Sequence, residues 1–335
     1  MDDPRKGLQA RYRRFAKEGA HGRSPLYETI SLGVADDLEI IEFLLALPPQ
    51  KQQPNLLLGT VRHLFGAPTD WVQFRQTLMA HADEVRAFMF THATQTNEPA
   101  RCAVLLPLLA RLPQPLALLE VGTSAGLCLL PDFYAYDYGT QRLRSSKANE
   151  TAPVFTCRAG GTTPLPTHMP EIIWRAGLDR NPIDVADRAQ TDWLESLIWP
   201  EQTERLMRLK SALEIAEQHR PRIAKGDLLG EDFEALCRDA PKEATLVVFH
   251  TSVLSYIADH AQQQEFGRRA MSAANFWISN EQQQVLPELT TGIVKTDIPG
   301  RFLMALNGEP VAWTDQHGAA MEWISAAPGA AFSNG

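Results

Sequence analysis

The sequence predicts an α/β protein with an N-terminal all-helical domain over residues 1–110 and a doubly wound, mostly parallel sheet over residues 111–335. Three observations predict this fold class. Apolar residues recur at helical spacing from residue 8 to about residue 110. Short apolar runs then alternate with helical stretches, which is typical of a parallel sheet covered on both faces. Near the C-terminal end, Asn307-Gly308 separates two apolar runs and predicts an antiparallel hairpin.

The predicted strands are short apolar runs bounded by turn residues. They lie at residues 116–122, 171–178, 222–225, 245–249, 275–279, 301–306, 311–313 and 319–324. Helices are predicted between the later strands, at residues 190–198, 201–219, 231–238 and 259–272. Residues 131–170 interrupt this alternation, and we interpret them as an insertion with two short strands, at residues 134–138 and 154–158.

The composition is that of an ordinary globular protein, because 44% of the 335 residues are apolar and 21% are charged. A net charge of −8 gives no general attraction for nucleic acid or an anionic membrane, and we expect neither as a partner. No apolar stretch predicts a membrane span, and no His/Cys/Asp spacing predicts a metal site. Without CxxC pairing, reduced thiols and a cytoplasmic location are expected for the four cysteines, Cys102, Cys128, Cys157 and Cys237.

The most informative segment is the glycine-rich run Glu120-Val-Gly122-Thr-Ser124-Ala-Gly126. It is interpreted as a buried strand, a tight turn and a helix start, an arrangement whose backbone N–H groups can bind a phosphate or carboxylate. The run lacks the Gly-Lys-Ser/Thr ending of a P-loop and the GxGxxG spacing of dinucleotide-binding proteins. A tight turn without a ligand is the alternative. We predict ligand contacts from Glu120, Gly122, Thr123, Ser124 and Gly126.

An acidic residue follows the next predicted strand, in the segment Gly177-Leu-Asp179-Arg-Asn181. A carboxylate at the end of a parallel strand can accept hydrogen bonds from ribose hydroxyls, so Asp179 is the predicted ribose ligand, with Asn181 beside it. The separation of Asp179 from the glycine turn is long, and the insertion accounts for it. Asp137 has the better spacing but no preceding apolar run, so it stays the alternative.

Polar residues also follow the next two predicted strands. Asp227 and His250 would then lie at the same edge of the sheet as the glycine turn, with Thr251 and Ser252 beside His250. Because the pKa of histidine is ordinarily near neutral, His250 is the predicted general base. A histidine that only caps a strand or a helix start is the alternative.

Gly122-Thr-Ser124-Ala-Gly126 also satisfies GxSxG, the nucleophile elbow of α/β-hydrolases, and Ser124, Asp227 and His250 occur in the required order. The helical character of the preceding segment disfavours this alternative, because hydrolase sheets need several strands before the elbow. Glu120 is also unfavourable next to an oxyanion, and His250 directly ends a strand far from the C-terminus. A serine hydrolase that uses Ser124 therefore stays the second hypothesis.

A dense polar cluster, Gln95-Thr-Asn97-Glu98-Pro-Ala-Arg101, precedes an apolar helix. It is compatible with a capped helix start, with Asn97 or Thr96 as the cap. It is equally compatible with a wall of the ligand crevice, because this helix leads straight into the first strand. In the second interpretation Gln95, Asn97 and Arg101 bind substrate.

Six segments together resemble one bacterial family, the domain-of-unknown-function family numbered 2332. They are QTNEPARCAVLLPLL (95–109), LLEVGTSAGLCLLPDFYAYDYG (118–139), GLDRNPIDV (177–185), WLESLIWPEQ (193–202), VVFHTSVLSYI (247–257) and WTDQHGAAMEWI (313–324). The core of that family resembles class I S-adenosylmethionine-dependent methyltransferases. The resemblance implies a Rossmann-like sheet of methyltransferase type, with seven strands and an antiparallel hairpin at its end.

The resemblance also implies a role for each matching residue. Glu120, Gly122 and Gly126 would surround the methionine part of S-adenosylmethionine, Asp179 would hold the ribose, and Asp227 would lie near the adenine. The residues facing the methyl group would be His250, Thr251 and Ser252. The implied activity is methyl transfer to a small-molecule acceptor, with the N-terminal domain as a cap; a non-catalytic nucleoside-binding module is a further alternative. Neither the acceptor nor the oligomeric state follows from the sequence.

Overall fold

A computed structural model of the chain describes residues 3–95, 97–290, 293, 298 and 300–324. The chain divides into two compact units. One consists of Met1–Thr96 and Asp187–Met207, and we call it the helical unit. The other consists of Asn97–Ala186 and Arg208–Gly335, and we call it the α/β unit.

The helices of the described residues are numbered in chain order. They are α1 Pro4–Arg14, α2 Pro25–Asp36, α3 Leu38–Leu45, α4 Pro54–Phe65, α5 Trp71–Ala80, α6 Ala82–Thr91, α7 Cys102–Leu109, α8 Arg188–Ser196, α9 Thr203–His219, α10 Asp232–Arg238 and α11 His260–Ala273. A π-helical turn, Phe15–Ala20, continues α1. The N-terminal helical region is therefore confirmed.

The helical unit buries one apolar core among its helices. Fully buried side chains include Tyr12, Ile30, Leu57 and Phe74, from α1, α2, α4 and α5. Side-chain caps fix where several helices begin; for example, the Asp37 carboxylate accepts hydrogen bonds from the first amides of α3. Trp193 of α8 belongs to the same core, which is why residues after 186 return to this unit.

The strands of the described residues are also numbered in chain order. They are β1 Leu116–Val121, β2 Ala135–Asp137, β3 Arg142–Arg144, β4 Val154–Thr156, β5 Arg158–Gly160, β6 Ile172–Asp179, β7 Arg222–Lys225, β8 Thr245–Thr251, β9 Phe276–Gln282, β10 Arg301–Leu306, β11 Glu309–Asp315 and β12 Ala320–Trp323. All of them belong to the α/β unit.

Among the described residues, nine strands form one sheet in the order β5-β12-β11-β10-β9-β8-β1-β6-β7. The five strands from β9 to β7 are parallel to one another. The pairs β9/β10, β10/β11 and β11/β12 are antiparallel. A mixed α/β fold with antiparallel C-terminal strands is therefore confirmed. The sheet has nine strands where the resemblance implies seven. The hairpin between β10 and β11 turns at Asn307 and Gly308, both of which have positive φ.

The predicted insertion forms its own small sheet, with the order β3-β2-β4. Both strands predicted there exist, as β2 and β4, but β3 and β5 were not predicted. β5 pairs in parallel with β12 and so extends the main sheet. β3 and β5 each contain a single apolar residue, Leu143 and Ala159, so neither forms an apolar run in the sequence, and only the pairing partner defines them.

Two predictions about the edge of the sheet are wrong. No α-helix begins after the glycine-rich turn; a three-residue 3₁₀ turn, Leu127–Leu129, is followed by Pro131, whose missing N–H prevents the helix from continuing. An anion site at a helix N-terminus is therefore not formed there. The second difference is strand length, because β8 and β9 extend two and three residues beyond their predicted ends at residues 249 and 279.

The boundary between the compact units also differs from the predicted domain boundary at residue 110. Residues 97–110 belong to the α/β unit, and residues 187–207 belong to the helical unit. The physical reason is packing, because α7 is buried along its whole length within the α/β unit. In the described part of the chain, no helix combines the length and apolar character needed to cross a membrane.

Candidate functional site

The strand order reverses beside β1, the middle strand of the parallel region. From β1 the chain passes to β6 and β7 on one side, and later to β8 and β9 on the other. In open α/β sheets, ligands bind outside the carboxyl ends of the strands at such a reversal. The segment that follows β1 and the end of β8 therefore flank the candidate site, which we call the β1/β8 crevice.

The segment after β1, residues 122–126, folds into a tight loop fastened to the exit of β6. Gly122, Ser124 and Gly126 all have positive φ, between 51° and 72°. The Ser124 amide donates to the Asp179 carboxylate at 2.7 Å, and the Ser124 carbonyl accepts from the Ile183 amide at 3.1 Å. The loop is therefore held at Ser124 by two residues at and after the end of β6, 55 and 59 positions further along the chain.

Asp179, the predicted ribose ligand, lies half-buried at the carboxyl end of β6, next to β1. One carboxylate oxygen accepts from the Ser124 amide, and the other accepts from the Asn181 amide at 2.7 Å. The alternative, Asp137, lies in the small sheet, where its carboxylate accepts from the Gly139 amide and from Arg142. Of the two candidates, only Asp179 contacts the loop that follows β1.

Asn97 contacts the same loop from its other side. Its side-chain amide nitrogen donates to the Ser124 hydroxyl, and its side-chain oxygen accepts from the Ala125 amide at 3.1 Å. The cap of the following 3₁₀ turn is instead Glu98, whose carboxylate accepts from the Ala100 amide. Thr96, the other predicted cap, lies outside the described residues. Gln95 belongs to the helical unit.

Arg101 is buried, with 4% of its surface exposed, and links three parts of the α/β unit. Its guanidinium donates to the Thr251 carbonyl at 3.0 Å, to the Thr251 hydroxyl at 3.1 Å and to the Gln316 carbonyl at 2.9 Å. It also lies over the Phe302 ring, with its central carbon 5.8 Å from the ring centroid. The structure thus brings the predicted residues Arg101 and Thr251 together at the end of β8.

Glu120, the penultimate residue of β1, is a buried carboxyl group at this edge. Burial raises its pKa from an ordinary 4.5 to about 8, although the Thr123 hydroxyl, which donates to it at 2.6 Å, and the charge of Arg101 oppose the shift. Desolvation dominates because the charged form loses its water. Glu120 therefore binds a proton near neutral pH.

We expect this buried carboxyl group to make the stability of the protein pH-dependent. The folded state holds the Glu120 proton up to about pH 8, whereas the unfolded chain releases it near 4.5. Its stabilising contribution is thus complete below 4.5 and is lost as the pH rises through 8. Relative to Glu120→Gln, the free energy of unfolding of the wild type should fall by up to about 1.4 kcal/mol per pH unit in this range.

Urea unfolding at several pH values between 5 and 8 measures this dependence. The control is Glu309→Gln, which removes an exposed carboxylate from the same unit. If Glu120→Gln and the wild type lose stability in parallel over this range, Glu120 does not carry the raised pKa.

His250, the predicted general base, lies elsewhere than predicted. Because β8 continues to Thr251, His250 is inside the strand and points to the opposite face from Thr251. No part of its surface is exposed, and its ring packs near Phe266 and Trp277. Its Nδ1 donates to Glu281 at 2.8 Å, and its Nε2 has no partner among the described residues. A substrate cannot contact His250 in this conformation.

The remaining predicted residues also have defined partners. Asp227 accepts a hydrogen bond from the Leu229 amide and forms an ion pair with Arg180, and the two contacts lower the pKa of its carboxyl group. The side chains of Ser124, Asp227 and His250 have three separate partners, namely Asn97, Arg180 and Glu281. They share no hydrogen bond with one another, so the described structure contains no assembled Ser-His-Asp arrangement. Ser252 has φ +59°, and its amide donates to the Asn280 carbonyl.

Three buried polar residues near the sheet edge were missed in the sequence. Glu281 and Asn280 lie at the end of β9, and Thr314 lies in β11, where its hydroxyl donates to the Asn280 side chain at 2.7 Å. β9 was predicted to end at residue 279. Residues 279–282 are all polar, so the sequence carries no apolar alternation that would signal the continuation of the strand.

In the described residues, no group of three or more His, Cys, Asp or Glu side chains could hold a metal ion. The family model described as "Uncharacterized protein conserved in bacteria (DUF2332)" matches residues 9–323. The chain belongs to this bacterial family. The match covers almost the whole length of the chain, so the region typical of the DUF2332 family spans both compact units. No curated protein and no solved structure matches it.

Proposed function

We propose that this DUF2332 protein is a methyltransferase that binds S-adenosylmethionine in the β1/β8 crevice and acts on a small-molecule acceptor. The observation that carries the proposal is the reversal of strand order beside β1, where the loop at residues 122–126 and buried polar side chains converge. The proposal includes two further statements. The α/β unit is of methyltransferase type, and the protein has the cytoplasmic location expected from its cysteines.

The residues of the crevice fit a nucleoside cofactor at Asp179. Each carboxylate oxygen accepts one backbone amide, which leaves a lone pair on each for a ribose hydroxyl. The fit at Gly122 requires a local movement, because the Val253 side chain lies against this glycine. Bound S-adenosylmethionine would supply an electrophilic methyl group. Few protein groups then need to react, since this chemistry depends on alignment of donor and acceptor.

The protein's own residues have distinct roles in this proposal. Asp179 holds the ribose, and the loop with Gly122, Thr123, Ser124 and Gly126 forms the wall of the cofactor site. Glu120, whose pKa is raised to about 8, is protonated near neutral pH and lies at the end of β1, beside the methionine part of the cofactor. Arg101 orients Thr251 toward the crevice. His250 holds Glu281 and does not contact the substrate.

Calorimetric titration with S-adenosylmethionine and S-adenosylhomocysteine tests the proposal. We expect both compounds to bind the wild type, and Asp179→Ala to weaken binding by about tenfold or more, the effect of losing hydrogen bonds to a charged group. The matched control is Asp137→Ala, which removes the alternative carboxylate and should leave the affinity unchanged. If neither compound binds to the folded wild-type protein, the proposal is refuted.

A further inference from the structure

We propose that Ser252 and Val253 form a movable stopper over the glycine-rich loop, and that Glu281 is the positioning residue that holds it closed. A ligand gains access to Gly122 only when Val253 leaves this glycine. The identity of the ligand rests on the proposed function. The stopper and its latch rest on contacts within the α/β unit alone.

The first observation is how closely Val253 approaches the loop. A Cβ atom placed on Gly122 would lie 2.4 Å from one γ-methyl of Val253 and 2.7 Å from the other. The space beside Gly122, where other residues have a Cβ atom, is therefore filled by the Val253 side chain. In glycine-rich loops that bind a ligand, this open side admits the ligand. Val253 thus occupies the position that a ligand of this loop would need.

The second observation is the latch formed by Glu281. One oxygen of its carboxylate accepts three hydrogen bonds, from the Val253 amide at 2.7 Å, from His250 Nδ1 at 2.8 Å and from the Leu254 amide at 3.1 Å. The carboxylate is buried, with 2% of the residue surface exposed. Glu281 is therefore the side chain that fixes the Val253 amide, and His250 orients it. Two backbone hydrogen bonds also hold the stopper, from the Ser252 amide to the Asn280 carbonyl and from the Tyr256 amide to the Val253 carbonyl.

The third observation is that the closed state is incompletely satisfied. The second Glu281 oxygen and His250 Nε2 are buried and have no hydrogen-bond partner among the described residues. Ser252 has φ +59°, a left-handed conformation that serine seldom adopts. Buried polar atoms without partners and residues in rare backbone conformations disfavour a state. The closed state therefore contains features that favour release of the stopper.

The movement is confined to two residues by the anchors on either side. Thr251 before the stopper belongs to β8 and bonds to Arg101. Leu254 after it is fully buried in the core, and its carbonyl accepts from the Gln263 side chain at 3.0 Å. Both anchors stay in place when the Val253 side chain swings away. A rearrangement of two residues is enough to uncover Gly122.

Hydrogen exchange of the full-length protein tests the latch without any ligand. Glu281→Ala should increase the exchange rate of the Val253 and Leu254 amides by about tenfold or more, because their acceptor is removed, while the amides of β7 stay unchanged. Glu281→Gln keeps an acceptor oxygen but loses the charge, so its Val253 and Leu254 amides should exchange faster than in the wild type and more slowly than in the alanine variant. This variant carries the test if the alanine variant does not fold. Unchanged exchange in both variants would overturn the latch.

Titration with S-adenosylhomocysteine tests the stopper. Val253→Ala should bind this probe several-fold more tightly than the wild type, because the smaller side chain obstructs Gly122 less. Val154→Ala, at an exposed position of the same unit, is the control and should not change the affinity. In the wild type, bound probe should speed the exchange of the Val253 amide.

The two proposals fail in different ways. If the wild type and Val253→Ala bind S-adenosylhomocysteine equally and the exchange at Val253 does not respond, the stopper is overturned and the proposed function stands. If neither protein binds the probe, the proposed function is overturned. In that case the latch is still supported if the Val253 amide exchanges slowly in the wild type and faster in Glu281→Ala.

Discussion

Replacing Gly318 with alanine is expected to lower the free energy of unfolding by more than about 3 kcal/mol. Gly318 has φ +80°, and a Cβ atom there would lie 2.1 Å from the Ala100 carbonyl oxygen and 2.4 Å from the carbonyl carbon. Backbone cannot give way as a flexible side chain can, so the turn between β11 and β12 would have to separate from the turn that contains Ala100. The same movement would withdraw the Gln316 carbonyl from Arg101.

Gly139→Ala is the matched control for this change. Gly139 has φ +83°, in the same unit, but no atom lies within 4 Å of an added Cβ. The free energy of unfolding of this variant should fall by about 1–2 kcal/mol, the cost of backbone strain alone. Urea unfolding of the wild type and both variants separates strain from close approach. Equal losses in the two variants would show that the contact between Gly318 and Ala100 is not tight.

Replacing Arg101 with methionine is expected to cost about 2–6 kcal/mol of stability, which is about 1–3 kcal/mol for each of two buried carbonyl groups. The substitution leaves the carbonyls of Thr251 and Gln316 without their donor in a buried place. It also removes the positive charge that opposes the raised pKa of Glu120, so this pKa should rise further. Arg101→Lys should recover only part of the loss, because one ammonium group cannot replace the two separate donor nitrogens of the guanidinium fork.

Arg268→Met provides the control for loss of an arginine from the same unit. Its side chain is 68% exposed and pairs with Glu265 three residues away, and such pairs contribute at most about 1 kcal/mol. Thermal and urea unfolding of the three variants measure the differences. A loss for Arg101→Met as small as that for Arg268→Met would mean that the buried guanidinium does not hold the end of β8.

The contacts behind these predictions identify the residues that organise the β1/β8 crevice. Arg101 and the turn with Gly318 fix the end of β8, whereas Asp179 and Asn97 fix the loop after β1. The crevice thus has two sides with different anchors. The stopper at Val253 follows the first side, at the end of β8, and lies against Gly122 of the second. Binding and exchange measurements on Val253 and Glu281 then report on access to the site, separately from its stability.

The sequence by itself determined the elements whose signals are local. β1 and β7 were predicted to within one residue, and the Asn307-Gly308 hairpin was found as predicted, because apolar runs and turn residues specify these features without distant partners. The sequence also predicted Asp179 and Arg101 as residues of the site.

Only the tertiary structure decided what those residues contact. The bond between Asp179 and the Ser124 amide, and the latch between Glu281 and Val253, join positions that are 55 and 28 residues apart. The last residues of β8 and β9 are part of the strands because neighbouring strands supply their hydrogen bonds. As a result, the His250 side chain lies in the core and contacts Glu281. Periodicity within one segment carries no information about such pairings, since burial and register are set by the partner strand.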